Sequence, residues 1–474
     1  MKKTTAILLL FLFFATRFAN ADTQNPLIKI STSSISIRAL HIPLQDILKI
    51  IAKSGINISV DPELNPEVTA SFSNRNIREG LDSILGSLNH VLIWDHLDIA
   101  GQNNYRLVGI EIFRPGQKDR MLRLDGRQSL KIVKNPRDGS FYVAHEILLR
   151  IGPDIDPSSL IEFVDNAGGV IISRYPALGI YRVRLPDNID IPSISEKING
   201  MSTGITSEPN LAWPVSLPHR MSGDAELPME SKAFSQDEGS ARVAVLDTGM
   251  ETGFVPDGTV VASFDAVNPE QTISDNLGHG TQMALIASGA VAPEGREQST
   301  KNPVISIRAF DDNGFTSSYT IMEAIDFAEK NGARVMSLSW GSETKSAFME
   351  DAINTAVIKG MVVVAAAGNE PTGKPEYPAA YPRVIGVGAL SPDGKTWNKS
   401  NYGSFVDIYA PGFATLPVGY KGAPGVYAGT SISTAFVASR IADFISTHPD
   451  ATSKQIIEAL KKPFMMTNHH VINK

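Results

Sequence analysis

The residue with the clearest chemical potential is Ser431, in the segment Y-A-G-T-S-I-S-T-A-F-V-A-S (427–439). Gly429 and Thr430 precede it, and an apolar run of helical character follows. In one interpretation, Thr430 or Ser431 caps the N-terminus of that helix and satisfies N–H groups that lack an intrahelical partner. In the other, Ser431 is a nucleophile whose developing negative charge faces the same N–H groups. The segment by itself leaves both interpretations open.

Three further residues have side chains that would complete nucleophilic catalysis by a serine. Asp247 ends the apolar run V-A-V-L-D, His279 stands between glycines in D-N-L-G-H-G-T-Q, and Asn369 follows V-V-V-A-A-A-G. Each also has an ordinary structural explanation, as a turn carboxylate, a packed imidazole and a turn amide. A serine hydroxyl needs a base to take its proton, and an imidazole suits that task at neutral pH. Together the four residues supply a nucleophile, a base, a group that orients the base and an oxyanion donor.

The D-T-G sequence that begins at Asp247 also occurs in aspartic proteases. Their mechanism needs two carboxylates that share one proton. The chain contains one D-T-G and no D-S-G, so the second carboxylate would have to come from a second copy of the chain.

The four segments occur in the order found in the subtilisin-like serine proteases, which residues 241–445 resemble. The signatures D-T-G, G-H-G-T and G-T-S carry the resemblance, and S-L-S-W-G, A-A-A-G-N and Y-P-A-A-Y-P lie between them in the family's order. The resemblance implies a serine endopeptidase that hydrolyses peptide bonds through an acyl-enzyme. It implies that Ser431 attacks the carbonyl, His279 accepts its proton, Asp247 orients the imidazole, and Asn369 donates to the oxyanion.

The resemblance also implies a substrate-binding cleft along two segments, S-L-S-W-G and A-A-A-G-N. We expect the following residues to line it: Ser339, Trp340, Gly341, Ala366 and Gly368. Trp340 is bulkier than the residue usual in the family at this place, so we expect it to narrow or cover the primary specificity pocket.

The chain departs from the family pattern at several places. After Ser431 it has I-S-T-A where the family has M-A-x-P, after D-T-G it has M-E-T-G-F-V, and Gln282 follows G-H-G-T. The catalytic region is also short for the family, which predicts trimmed surface loops and puts the family's calcium sites in doubt. No acidic loop replaces them, so we expect no cofactor and no metal ligands, with calcium as the single candidate.

The elements around these residues predict the scaffold that positions them. Beyond residue 240, short apolar runs such as A-R-V-A-V-L and M-V-V-V-A-A-A alternate with helical stretches such as Y-T-I-M-E-A-I-D-F-A-E-K. Near-continuous apolar strands separated by helices predict a mostly parallel sheet flanked by helices on both faces. In such α/β folds ligands bind at the carboxyl ends of the strands, where Asp247 and Asn369 are expected.

The N-terminal third predicts export and a first small domain. Lys2 and Lys3 precede an apolar run over residues 6–15, and a small-residue site follows, so residues 1–21 are predicted to be a cleavable signal peptide, with an uncleaved anchor as the alternative. Residues 24–113 contain a β-α-β-β-α-β pattern and resemble the short N-terminal domain of secretins and TonB-dependent receptors. The resemblance implies docking to an envelope protein, and a module without a partner remains the alternative.

A second small α/β domain of the same β-α-β-β-α type is predicted over residues 141–213. The subtilisin resemblance implies that it is an inhibitory propeptide, and that the polar connector 214–240, expected to be exposed, contains the processing site. Residues 241–462 form the predicted catalytic domain, and 463–474 are a tail.

Composition narrows the partners. Of the 474 residues 42% are hydrophobic and 20% charged, and the net charge of −7 argues against nucleic acid as a partner. The chain has no cysteine, which excludes disulfides and thiolate chemistry. We therefore expect an exported protein, periplasmic or extracellular, without a transmembrane segment after signal removal. Its expected partners are peptide or protein substrates and its own propeptide. A catalytically weak or only self-cleaving binding module of an envelope system is the alternative.

Overall fold

The computed structural model divides the chain into two compact units, Met1–Arg127 and Gln128–Lys474. It describes residues 27–464 except 31–33, 53–55, 100–101, 125–129, 153–159, 161–162, 165, 187, 202–203, 222–239, 270, 298–301 and 419–423. The predicted signal peptide (1–21) and the tail from residue 465 onward lie outside the described residues.

The first unit contains two helices and two sheets around its own core. Its helices are α1 (Leu44–Ala52) and α2 (Ile77–Leu85). Its strands are β1 (Leu27–Ile30), β2 (Ser34–Pro43), β3 (Asn57–Val60), β4 (Glu67–Asn76), β5 (Asn89–Ile99), β6 (Gln102–Phe113) and β7 (Leu122–Arg123). One sheet has the order β1-β2-β4 and the other β5-β6-β3-β7. Apolar residues at helical spacing on α1 and α2 face this core, as the sequence predicts.

The second unit begins with an antiparallel sheet and the helix that follows the strand Ile180–Arg184. The elements in chain order are β8 (Ile132–Lys134), β9 (Phe141–Ile151), β10 (Val170–Tyr175), β11 (Ile180–Arg184), α3 (Ile191–Asn199) and β12 (Ile205–Pro214). Strand order is β10-β11-β9-β12, and β12 also pairs with β17 (Phe315–Ser317) from the later part of the unit. Of the helix predicted over residues 158–169, the described residues Leu160, Phe163, Val164 and Asn166 are helical, and residues 158–159, 161–162 and 165 lie outside the described ranges.

The rest of the second unit is built on a seven-stranded sheet in which every strand pair is parallel. In spatial order its strands are β15 (Val260–Asp265), β16 (Val304–Arg308), β14 (Arg242–Asp247), β18 (Ala333–Leu338), β19 (Val362–Ala366), β20 (Ile385–Leu390) and β21 (Ile408–Pro411). Six of these strands are mostly buried, which is why their sequences are nearly continuously apolar, whereas the residues of the edge strand β15 alternate in exposure.

Helices cover both faces of the parallel sheet. Helices α4 (His279–Ala287) and α7 (Thr430–Thr447) share one apolar core with it, and α5 (Ser318–Lys330) and α6 (Ala347–Ile358) share the other. Helix α8 (Ser453–Phe464) closes the described chain. The predicted α/β fold class is confirmed, because hydrophobic runs of strand length alternate with helices and leave only a parallel arrangement.

Two short antiparallel pairings complete the unit near the start of α7. Strand β23 (Gly425–Ala428) pairs with β22 (Phe413–Leu416) on one side and with β13 (His219–Arg220) on the other. Within the described ranges, none of the helices combines the length and the apolar character that crossing a bilayer requires.

Candidate active site

Asp247 and Asn369 lie at the same edge of the parallel sheet. Asp247 is the last residue of β14, and Asn369 follows β19 (Val362–Ala366) after two small residues. Since both strands run in the same direction, their carboxyl ends meet at one edge, as the sequence predicts. Strand β18 (Ala333–Leu338) lies between them, so Ser339 emerges at this edge as well.

His279 is bonded to Asp247 at this edge. The imidazole Nδ1 lies 2.6 Å from Asp247 Oδ1, and both side chains are buried. Asp247 Oδ1 also accepts a hydrogen bond from the backbone N–H of Thr248 at 2.7 Å, which fixes the carboxylate. With Nδ1 donating to the carboxylate, Nε2 is the nitrogen left to accept a proton, and it has no hydrogen-bond partner among the described residues.

The loop before His279 is held by Asp275, a residue that the sequence analysis did not single out. Its two carboxylate oxygens accept hydrogen bonds from Thr248 Oγ1, Leu277 N, Gly278 N and both the N and Oγ1 of Thr281, at 2.7–3.2 Å. A carboxylate four residues before a histidine at a helix start is the signal that could have found it. Asp275 therefore positions His279 without touching its ring.

Close backbone approach explains the glycine after His279. A Cβ atom on Gly280 would lie 2.2 Å from the carbonyl oxygen of Gly249, so any side chain would push the D-T-G loop away. The N–H of Gly280 donates to Thr248 Oγ1 at 2.7 Å, which joins the same two segments. The glycines of D-T-G and G-H-G-T are thus needed to bring Asp247 and His279 together.

Ser431 is the second residue of α7 (Thr430–Thr447). It is fully buried, and its Oγ has no hydrogen-bond partner among the described residues. No side chain caps this helix, so the interpretation of Ser431 or Thr430 as the N-cap is wrong: Gly429 stands at the N-cap, in an extended conformation. The backbone N–H groups of the first turn remain without intrahelical partners, next to the Ser431 hydroxyl.

Asn369 is oriented by the same helix start. Its Oδ1 accepts hydrogen bonds from the N and Oγ1 of Thr430, both at 2.9 Å. Because the amide oxygen is occupied in this way, Nδ2 is turned outward as a donor. That donor lies 3.4 Å from the carbonyl oxygen of Leu217.

The other predicted cleft residues gather around this point. Ser339 Oγ donates to the carbonyl oxygen of Ser431 at 3.3 Å, and a Cβ atom on Gly341 would lie 3.7 Å from the carbonyl oxygen of Ala366. The structure therefore brings the S-L-S-W-G and A-A-A-G-N segments side by side.

Trp340 does not narrow or cover a pocket, contrary to the expectation from its size. Its indole is fully buried, and Nε1 donates to the carbonyl oxygen of Leu246 at 3.2 Å. The ring packs in the core between Phe310 and Trp213, with ring centroids 5.8 and 6.2 Å away. The buried backbone carbonyl next to Asp247 offers the indole a partner inside the protein, so the side chain turns inward.

Residues 214–219 of the predicted connector are buried or half-buried along the site, whereas Arg220 and Met221 are exposed. Strand β12 (Ile205–Pro214) pairs with β17, Val215 N donates to Gly314 O at 2.8 Å, and β13 (His219–Arg220) pairs with β23. Between these pairings, Leu217 contacts Asn369 and Pro218 is buried beside Gly429. The chain's own backbone therefore passes beside Asn369 and beside Gly429 at the start of α7. Pairing of its backbone groups is what keeps it there.

The small antiparallel domain that precedes this segment contacts the N-termini of two helices, α6 and α5. Glu208 accepts hydrogen bonds from Ser346 Oγ, Ala347 N and Phe348 N at the start of α6, at 2.7–3.3 Å. Asn210 Oδ1 accepts from Tyr319 N at the start of α5, at 3.1 Å. Acceptors at these positions satisfy N–H groups that a helix leaves unpaired, and the negative charge of Glu208 suits the positive end of the helix dipole.

The expectation of no metal ligands remains a prediction. Within the described ranges there is no group of three or more histidine, aspartate or glutamate side chains placed to hold a metal ion. Gln282, one of the departures from the family pattern, is fully buried and donates to Val418 O at 2.8 Å. No donor set for calcium is therefore assigned, and nothing in the chemistry described below uses one.

Comparisons with known proteins agree with this arrangement. Residues 238–469 match the family model described as the subtilase family. Thermitase from Thermoactinomyces vulgaris is 35% identical over 215 residues, which cover 44% of this chain and 76% of thermitase. Subtilisin Savinase from Lederbergia lenta is 34% identical over 226 residues, covering 46% of this chain and 81% of Savinase.

A solved structure extends the similarity beyond the catalytic region. Fervidolysin from Fervidobacterium pennivorans, described as a keratinolytic enzyme related to subtilisin, matches with a TM-score of 0.56 and 25% sequence identity. The match covers 71% of this chain and 59% of the fervidolysin chain, so it includes residues outside the family model and spans less than two thirds of that protein.

Proposed function

Since this chain belongs to the subtilase family and is a serine endopeptidase of the subtilisin-like class, we propose that Asp247, His279 and Ser431 are its catalytic triad and that it is made as a self-inhibited, self-processing precursor. One observation carries the proposal. The carbonyl oxygen of Leu217 lies 3.4 Å from the side-chain amide of Asn369, at the start of the helix that bears Ser431.

The proposed reaction follows from the direction of the hydrogen bonds. His279 Nδ1 donates to Asp247 Oδ1, which leaves Nε2 to take the proton of Ser431 Oγ as the oxygen attacks the substrate carbonyl. The tetrahedral oxyanion then accepts hydrogen bonds from Asn369 Nδ2 and from the backbone N–H of Ser431. The imidazolium returns its proton to the leaving amine, and the resulting acyl-enzyme is hydrolysed by water with the same base.

Contacts of residues 141–213 support their proposed role as the inhibitory propeptide. Glu208 and Asn210 bind the N-termini of α6 and α5, and β12, the strand that carries both residues, leads on to Leu217 beside Asn369. His279 and Ser431 are fully buried in this arrangement, so a substrate cannot reach them until the segment around Leu217 is displaced. Cleavage within the connector 214–240 would permit that displacement.

The proposed location rests on residues 1–21, and the proposed docking role rests on residues 24–113. We expect export through residues 1–21, into the periplasm or the medium, and docking of residues 24–113 to an envelope protein. Support for docking comes from the compactness of this unit, which has a hydrophobic core of its own. Crosslinking of the full-length protein in an envelope fraction, with and without residues 24–113, tests it; the same crosslinked products from both chains would contradict docking.

A fluorophosphonate probe that reacts with activated serines tests the catalytic proposal. We expect the processed wild-type protein to be labelled at Ser431, and the Ser431→Ala variant to remain an unlabelled, full-length precursor. Ser433→Ala is the matched control, because Ser433 is a buried hydroxyl of the same helix that donates to Ala410 O instead. Absence of labelling in processed wild-type protein would favour a binding module, and normal processing of Ser431→Ala would mean that another protease cuts the chain.

A further inference from the structure

We propose that Glu376 selects substrates with a lysine or arginine at the residue whose carbonyl is attacked. The proposal deepens the function proposed above and rests on it. It concerns one side chain, outside the triad and the oxyanion donors, that closes the space beside Asn369.

The chain's own segment marks where that substrate residue lies. Leu217 presents its carbonyl oxygen to Asn369 Nδ2, and Pro218 follows beside Gly429 at the start of α7. A substrate bound in the same direction would place its attacked carbonyl where Leu217 has its own. The side chain of that residue then lies near the A-A-A-G-N segment and the neighbouring S-L-S-W-G segment.

Glu376 lies between those two segments. A Cβ atom added to Gly368 would be 2.9 Å from the carboxyl carbon of Glu376, and one added to Gly341 would be 3.1 Å from Oε2. The next residue is fixed to the strand end, because Tyr377 and Ser342 exchange backbone hydrogen bonds at 2.7 and 3.0 Å. The two glycines therefore leave the space that the carboxylate fills, and one of them, Gly368, directly precedes Asn369.

The carboxylate of Glu376 has no compensating charge. Among the described residues, no hydrogen bond or ion pair reaches it. Lys374, two residues away in the chain, is bound to Glu343 at 3.0 Å, and Lys345, which lies over the Tyr377 ring, is bound to Glu350. Burial, together with the neighbouring Glu343 and Glu370 carboxylates, raises the pKa of Glu376 to about 7. A half-buried carboxylate without a partner is costly, and a guanidinium or ammonium group entering beside it would remove that cost.

Leu217 has no charge that could pair with the Glu376 carboxylate, and this bears on which bond of the connector is cleaved. The inhibitory segment places an apolar residue where the proposed preference is for a cation, followed by a proline that lacks an N–H and fixes its own φ angle. The bond between Leu217 and Pro218 is therefore not the processing bond. The connector 214–240 contains two basic residues, Arg220 and Lys232, and we expect the mature N-terminus directly after one of them.

Two peptides that differ only at the residue before the cleaved bond, arginine in one and norleucine in the other, test the preference with the processed enzyme. We expect kcat/KM for the arginine peptide to exceed that for the norleucine peptide by about tenfold to a hundredfold, the range of a charge-assisted hydrogen bond. Glu376→Gln should reduce this ratio by at least about tenfold. Glu343→Gln is the matched control, because it removes a negative charge from the same neighbourhood but one that Lys374 already neutralises, and it should keep the ratio.

The ratio of the two kcat/KM values also distinguishes an effect on Glu376 from an effect on the triad. A change in the triad lowers kcat/KM for both peptides equally and leaves their ratio unchanged. Because the raised pKa of Glu376 means that it is protonated below about pH 7, the wild-type ratio should fall between pH 8 and pH 6 and the Glu376→Gln ratio should not. Equal cleavage of both peptides by wild-type enzyme, or an unchanged ratio in Glu376→Gln, overturns the inference and leaves the proposed function intact. Wild-type protein that is processed but neither labelled by the fluorophosphonate nor active on either peptide overturns both.

Discussion

Leu217 and Asn369 are 152 residues apart in the chain, and the carbonyl oxygen of the first lies 3.4 Å from the side-chain amide nitrogen of the second. The hydrogen bond joins the connector after the small antiparallel domain to the edge of the parallel sheet. Strand pairings on both sides, with Phe315–Ser317 before it and Gly425–Ala428 after it, make the contact part of a continuous bound segment. The protein thus holds its own chain across the residues proposed to be catalytic.

Asn369→Ala should lower kcat with little change in KM. The lost amide would donate only to the oxyanion of the transition state, and removal of one such donor typically lowers kcat about 100-fold to 1,000-fold. Steady-state kinetics with the arginine peptide measures both constants. A rise in KM with an unchanged kcat would show instead that Asn369 only binds the ground state.

Asp275→Ala should slow fluorophosphonate labelling and lower the free energy of unfolding by about 2–4 kcal/mol, since the buried donors it now satisfies would lose their acceptor. Labelling rate and denaturant unfolding measure the two effects. Asp393→Ala is the control, because its carboxylate is exposed and bonds only within its own turn. Equal labelling rates in both variants would contradict a positioning role for Asp275.

The paired change Leu217→Arg and Pro218→Ala should convert the inhibitory segment into a substrate. The new arginine would meet the Glu376 carboxylate, and the bond after residue 217 would lose its proline. We expect the mature protein to begin at residue 218, which mass spectrometry of the intact N-terminus determines. An N-terminus unchanged from that of the wild type would count against the alignment of Leu217 with the attacked position.

Dissociation of the proposed propeptide, residues 141–213, should become easier as the pH rises towards 7. Glu323 of α5 lies near Arg182 of the small domain. Burial, together with Asp326, raises the pKa of Glu323 from 4.5 to about 7, although Arg182 opposes the rise. Because the pKa of Glu323 is raised where the small domain is bound, protonated Glu323 favours the bound state. This stabilisation is complete below about pH 4.5 and is lost as the pH rises from there to about 7. We expect the cleaved propeptide to dissociate faster at pH 7.5 than at pH 5.

The Glu323→Gln variant should reduce this pH dependence. Glu208 acts in the same direction, because burial raises its pKa as well, although Ser346 and the N–H groups of Ala347 and Phe348 oppose the rise. Surface plasmon resonance or a fluorescence competition assay gives the dissociation rates. An identical pH profile in the variant would exclude Glu323 as a titrating group of the interface.

Glu208→Ala should weaken binding of the propeptide to the catalytic domain by about tenfold, because the start of α6 would lose an acceptor and a favourable charge. Glu196→Ala is the control in the same small domain. Glu196 is exposed and binds Arg137 of that domain, not the start of α6. Equal dissociation constants for the two variants would contradict the role of Glu208 as an anchor.

Much of the fold could be predicted because its signals are local. Apolar runs of strand length, the helical periodicity of α1 and α2, and the D-T-G, G-H-G-T and G-T-S segments each extend over a few residues. The inward turn of Trp340 could not be predicted, since its partner, the carbonyl oxygen of Leu246, comes from another strand. The path of residues 214–221 could not be predicted either. A polar composition predicts an exposed segment, and the strands whose backbone groups pair with this one lie far away in the sequence.

The sequence by itself determined the kinds of groups available: one aspartate, one histidine, one serine and one amide, each at the end of a predictable element. Only the tertiary structure decided that His279 bonds to Asp247, that Asp275 holds the loop between them, and that Glu376 closes the space between Gly341 and Gly368. The physical reason is the distance along the chain over which each effect acts. Side-chain type and periodicity act within a few residues, whereas hydrogen bonds and close packing join residues that only the folded parallel sheet brings to one edge.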